Sequence, residues 1–168
     1  NILHDSNMEI IGTISSGIDI TEKKRIEKEQ QETAQRLLYA NKATNDVIWD
    51  WNIETDTQQW NEVGTKVFGW TEIVEHPDST SWWVERVHPD DRDRIHKSLF
   101  AVINDSKQNI WQNEYQFLKT DGSYANVVDK GYVIRDEHGK AIRMIGAMQD
   151  VTVHHQAINK IRESEKKY

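Results

Sequence analysis

One motif occurs twice in this chain at a fixed offset of 131 residues, and it limits the fold more than any other feature. Asp5, Ile11, Ile14, Asp19 and Thr21 recur as Asp136, Ile142, Ile145, Asp150 and Thr152. A solenoid turn repeats every 20–50 residues or so, whereas a spacing this long marks one unit of an array. The first copy starts close to residue 1 with no body ahead of it, while the second closes a stretch long enough to be a domain. The chain therefore reads as the closing strand of one module (1–21), a helical linker (22–43), a whole module (44–152) and the start of a second helical linker (153–168).

Charge and cysteine content narrow the function classes. The net charge of −7 repels a phosphate backbone, and no basic stripe overrides it, so nucleic acid is not expected as a partner. With no cysteine there is no disulfide, no thiolate zinc site and no thiol photochemistry, which fits a cytoplasmic chain. No apolar run approaches the roughly 20 residues a bilayer span needs, so no membrane contact is expected from this stretch.

Residues 22–43 lack glycine and proline and are rich in Glu, Lys, Arg and Gln, with Asp19 to Glu22 as a start signal resembling a capping box. Ile26, Thr33 and Ala40 fall seven apart, a thin seam that fits either a solvated spacer or a parallel dimer helix. Strands are predicted over 47–53 and 58–60, with helices over 61–68, ending at Gly69, and 81–87. Pro89 and the aspartates after it open a helix to Asn104, with Ile95, Leu99, Val102 and Ile103 on its buried stripe. Strands at 109–119, 124–135 and 141–150 follow, separated by turns at Asp121-Gly122 and His138-Gly139. The fold class is α+β: a five-stranded antiparallel sheet whose two halves are separated by short helices.

Four motifs in this order resemble one family. Trp49-Asp50-Trp51, His88-Pro89-Asp90-Asp91-Arg92, the run Glu114 to Ser123 and Asp150-Val151-Thr152 are similar to a subgroup of PAS sensory domains, over 44–152. Gln116 departs mildly, standing where that subgroup usually has arginine. Asp19-Ile20-Thr21 matches the subgroup's closing motif letter for letter, and Glu163 to Tyr168 is similar to a run that often opens a following PAS domain. The resemblance implies a sensor or relay in a tandem-PAS signalling protein, most often a two-component sensor histidine kinase, with flanking signalling helices.

Candidate sites follow from both lines of reasoning. Asp150 and Thr152 lie between the last strand and the outgoing helix, where they can cap its orphan N–H groups. The resemblance adds a signal-relay role at that junction. Trp49, Trp51, Trp60 and Trp111 either line a pocket for an unknown small ligand or fill the core solidly. His96 falls within the arc set by Ile95, Leu99, Phe100 and Ile103, so it is expected to face the interior. Haem-binding relatives carry their ligand on this helix, which keeps a haem-based gas sensor through His96 as an alternative. No other cofactor is expected. His154 and His155 read as exposed, and no metal site or catalytic constellation is recognised.

The resulting expectation is a relay that passes a ligand- or packing-driven change through Asp150-Val151-Thr152 into the helix beyond. The rival is a ligand-free module that dimerises and spaces other domains of the same protein. A homodimer is expected through the flanking helices or through strand 8–21, whose isoleucines should seek a sheet edge here or in a second copy.

Overall fold

The computed structural model describes residues 2–13 and 19–168. The chain divides into two units, Asn1–Tyr39 and Ala40–Tyr168. In the first, β1 (Ile2–His4) and β2 (Ile10–Thr13) form an antiparallel hairpin. The sequence predicts that 8–21 seeks a sheet edge, on this domain or in a second copy. Among the described residues, Ile10–Thr13 pairs along one edge with Ile2–His4 in a two-stranded sheet. Residues 14–18 of that expected strand lie outside the described residues. The helix α1 (Thr21–Thr44) begins where Asp19 Oδ1 accepts from the Thr21 N–H at 2.9 Å, and it buries none of its side chains.

The second unit contains the sheet. Strands β3 (Val47–Asn52) and β4 (Thr57–Trp60) precede four helices: α2 (Val63–Phe68), α3 (Glu72–Glu75), α4 (Thr80–Arg86) and α5 (Pro89–Asn104). Then come β5 (Ile110–Leu118), β6 (Tyr124–Arg135), β7 (Ala141–Asp150) and α6 (Thr152–Glu165). The sheet is antiparallel with strand order β4-β3-β7-β6-β5, so the last strand sits at its centre between the two sequence halves. The short α3, which periodicity does not signal, is one turn long and buries only Ile73. No helix among the described residues is long and apolar enough to cross a membrane.

The helix and sheet halves are locked by polar pins at both ends of α5. At its start, His88 donates its N–H to the Gln116 carbonyl (2.8 Å) and Asp91 accepts from the Gln116 N–H (2.9 Å). The motif 88–92 thus extends the β5 hydrogen bonding into the helix. At its end, the Arg135 guanidinium donates to the carbonyls of Val102, Ile103 and Asp105, which have no partner within the helix.

The repeated motif is a repeat in three dimensions as well. In the β6–β7 turn, Asp136 Oδ1 accepts from the N–H groups of His138 and Lys140 at 2.9 Å each. In the β1–β2 turn, Asp5 Oδ1 accepts from Asn7 (2.8 Å) and Glu9 (3.0 Å). A left-handed residue closes each turn, Gly139 at φ 82° and Met8 at φ 67°. Each hairpin also shifts register just before its turn.

Candidate functional site

The inner face of the sheet is read most directly along β6. Ala125, Val127, Asp129, Gly131 and Val133 alternate inward at period two, so one carboxylic acid faces the core among apolar neighbours. Asp129 is 1% exposed. Opposite it, Trp49 on β3 reaches across β7. It can do so because Gly131 and Gly146 face each other across β6 and β7 with no side chains between them. A methyl at Gly131 would come within 2.6 Å of the Trp49 ring, and one at Gly146 would clash with it more closely. The glycines form a trench, the indole lies in it, and its Nε1–H donates to Asp129 Oδ1 at 2.7 Å.

A second chain of donors comes from the other side. Trp83 Nε1–H donates to the Tyr115 hydroxyl (2.9 Å), which donates to Asp129 Oδ2 (2.6 Å). Burial is the main influence on the acid, pushing its pKa up to about 7 despite hydrogen bonds from Tyr115, Trp49 and the Lys130 N–H. Burial, with the neighbouring Asp129 charge, also raises Tyr115 well above the ordinary phenol range, so it stays a neutral donor.

Beside this cluster is a cavity walled mainly by Trp49, Trp51, Trp60, Trp83, Trp111 and Asp129. About 20 Å³ is open to the centre of a water-sized sphere, enough for one or two waters. Trp51 donates to Asp56 Oδ1 (3.0 Å) and Trp111 to Ser98 Oγ (2.9 Å). Trp60 Nε1 is buried without a partner.

The four tryptophans singled out from the sequence therefore come together at one space, which is small. His96 does not join them. It is exposed on α5 and lies 4.6 Å from the Phe100 ring, centre to centre. The arc drawn through Phe100 was too wide, because Phe100 is itself exposed, and only Ile95, Leu99 and Val102 are buried on that helix. No histidine lines the cavity, and its size admits no macrocycle, so these residues do not fit haem. His154 is exposed, as expected, but His155 is half-buried, 4.0 Å from Glu114. Among the described residues no three His, Asp or Glu side chains converge as a metal site. Sequence reasoning missed Asp129, Tyr115 and Trp83 as a cluster. The period-two alternation of β6 was the signal that could have found the acid.

At the junction, Asp150 Oδ1 accepts from both the Thr152 N–H (2.9 Å) and the Thr152 hydroxyl (2.5 Å). Thr152 Oγ1 in turn accepts from the Asn126 N–H (2.9 Å), and the Val151 N–H donates to the Asn126 carbonyl (2.8 Å). The first turn of α6 is thus tied to β6 as well as to β7. Asn126 and Asp129 are three residues apart on one strand, about 10 Å at ordinary strand rise.

Residues 58–148 match the family described as the PAS fold. The chain is 29% identical over 138 residues to a probable diguanylate cyclase, DgcE, of Escherichia coli K12, which covers 80% of this chain and 12% of that protein. It is 25% identical over 154 residues to the two-component sensor PprA of Pseudomonas aeruginosa, covering 90% of this chain and 16% of that protein. The chain thus spans less than a fifth of either relative. Among solved structures, it is similar to a sensory box histidine kinase/response regulator from Burkholderia thailandensis, with a TM-score of 0.64 and 26% identity. That likeness covers 79% of this chain and 96% of the other.

Proposed function

The chain belongs to the PAS-fold family, and from that premise we propose that residues 44–152 relay a change in the buried Asp129 cluster to α6 within a larger signalling protein. The observation that carries this reading is a pair of hydrogen bonds at Asn126, whose N–H donates to Thr152 Oγ1 and whose carbonyl accepts from the Val151 N–H. One strand holds the acid at its centre and the start of the outgoing helix near its end. A change in hydrogen bonding at Asp129 that shifts β6 must therefore shift the anchor of α6 as well. A cap contributes about 1 kcal/mol, so the junction couples to a switch and does not supply all its energy.

The parent we infer is a two-component sensor histidine kinase, supported by the likeness to PprA and to the Burkholderia thailandensis kinase structure. The similarity to DgcE supports a diguanylate cyclase parent as the alternative effector. We assign no catalysis to this stretch itself and place it in the cytoplasm, where both effector chemistries find their nucleotide substrates. The matching hydrogen bonds of the two hairpins support reading 1–21 as the end of a preceding PAS domain, with 22–43 and 153–168 as linkers.

A second reading, dimerisation and spacing, draws on α1. Ile26, Leu37, Leu38 and Tyr39 are all exposed on that helix, and a partner helix from a second copy would cover them. The two readings separate by experiment. Hydrogen exchange of α6 in Thr152→Val tests the relay, which predicts faster exchange at Asn126 and over 152–157 while the rest of the sheet stays protected. Unchanged exchange there would remove the relay and leave spacing.

A further inference from the structure

Asp129 is an acid held out of water without a basic partner. No lysine, arginine or histidine lines the cavity beside it. Its two oxygens accept one side-chain hydrogen bond each, from Trp49 and Tyr115, and a carboxylate has acceptor capacity beyond that. Tyr115, the other titratable group in contact with it, stays neutral. The negative form of Asp129 therefore has no counter-charge from the protein.

The surroundings suit a cation. Trp49, Trp51, Trp60, Trp83 and Trp111 line the same space, and indole is the strongest cation–π partner among the side chains. The fold already uses this interaction once, with the Arg86 guanidinium carbon 4.2 Å from the Trp70 ring centre and 3.9 Å from that of Trp82. In the cavity the protein supplies indoles, a carboxylate and the neutral side chains of Gln58, Thr80, Leu99 and Met148, but no cation. The space admits one or two waters, and ammonium is about the size of a water.

We propose that this cavity is a binding site for a small ammonium-class monocation, ammonium itself or methylammonium, held by the Asp129 carboxylate and the indole walls. Its N–H groups donate to Asp129, as a sodium ion cannot, while tetramethylammonium is too large to enter. The site deepens the relay reading by naming the ligand class, and the consequence for α6 rests on that reading although binding does not. Proton and cation compete for one carboxylate. Because Asp129 titrates at about 7, apparent affinity should fall about tenfold from pH 8 to pH 6.

The test is titration of the 168-residue chain with ammonium and methylammonium chloride at constant ionic strength, read by tryptophan fluorescence and calorimetry. Sodium chloride, tetramethylammonium chloride and methanol serve as controls. Saturable responses to the first two only, about tenfold weaker at pH 6 than at pH 8, are expected. Asp129→Asn, checked for folding by circular dichroism, should weaken both by tenfold or more, and Trp51→Leu should weaken them while leaving the acid in place. No saturable response of the unaltered chain up to about 100 mM would overturn the proposal, since that is weaker than any useful site. So would an equal response to sodium. Methanol binding as well as methylammonium would also overturn it and would assign the space to a neutral partner of the unpaired Trp60 N–H. Failure of binding with an intact α6 response to Asp129→Asn would remove the ligand and leave the relay standing.

Discussion

The Trp49 indole N–H donates to Asp129 Oδ1 at 2.7 Å across the whole width of the intervening strand β7. That reach depends on Gly131 and Gly146, whose missing side chains leave the trench in which the ring lies. The bond links β3 to β6, two strands that share no backbone hydrogen bond.

Filling the trench should therefore act on the acid. Gly146→Ala places a methyl against the Trp49 ring and the Lys130 carbonyl. Overpacking of this kind costs about 1–3 kcal/mol, and it should release the Trp49–Asp129 bond. The expected readouts are a lower denaturation midpoint and an altered near-ultraviolet circular dichroism signal from the displaced indole.

Removing the phenol hydroxyl tests the other arm. Tyr115→Phe deprives Asp129 of one donor and leaves the Trp83 N–H without its acceptor. An unsatisfied buried polar group costs about 1–3 kcal/mol. Urea unfolding should show that loss as a lower midpoint at an unchanged slope.

Stability should also depend on pH through Asp129. Its folded pKa, about 7, lies above the unfolded carboxyl value of about 3.9, so the folded state holds the proton more tightly. The stability this contributes is complete below about pH 4, declines as pH rises towards 7, and is gone above it. The slope over that range is about 1.4 kcal/mol per pH unit. Unfolding curves from pH 5 to pH 8 should show this decline in the unaltered chain and lack it in Asp129→Asn.

At the junction, Thr152→Val keeps the side-chain shape but removes the oxygen that accepts from the Asn126 N–H. Leaving the Asn126 N–H without this acceptor should cost about 1 kcal/mol, most of it local to the start of α6. Amide exchange at Asn126 and over 152–157 should accelerate together, whereas the β5 amides should keep their protection.

Local signals in the sequence were enough to place most of the elements. Pro89 after the capping His88 opens α5, Gly69 at φ 86° ends α2, and Asp121-Gly122 turns β5 into β6. The repeat of Asp5 at Asp136 survives as the same turn in both hairpins. What escaped depends on contacts distant in sequence. Asp129 looks like one polar residue among valines until Trp49, 80 residues earlier, is laid across β7 to meet it. His96 failed for the opposite reason. A helical wheel shows which residues are neighbours but not where burial stops, and on α5 the buried arc holds Ile95, Leu99 and Val102 and leaves out both His96 and Phe100.

The central claim is that β6 connects the acid to the helix. It is tested most directly by hydrogen exchange over 152–165, comparing the unaltered chain with Asp129→Asn at one pH. A change in protection concentrated at 152–157, larger than the change in β3 and β4, is the predicted result. Exchange that alters only in the sheet, or uniformly in step with global stability, would contradict it.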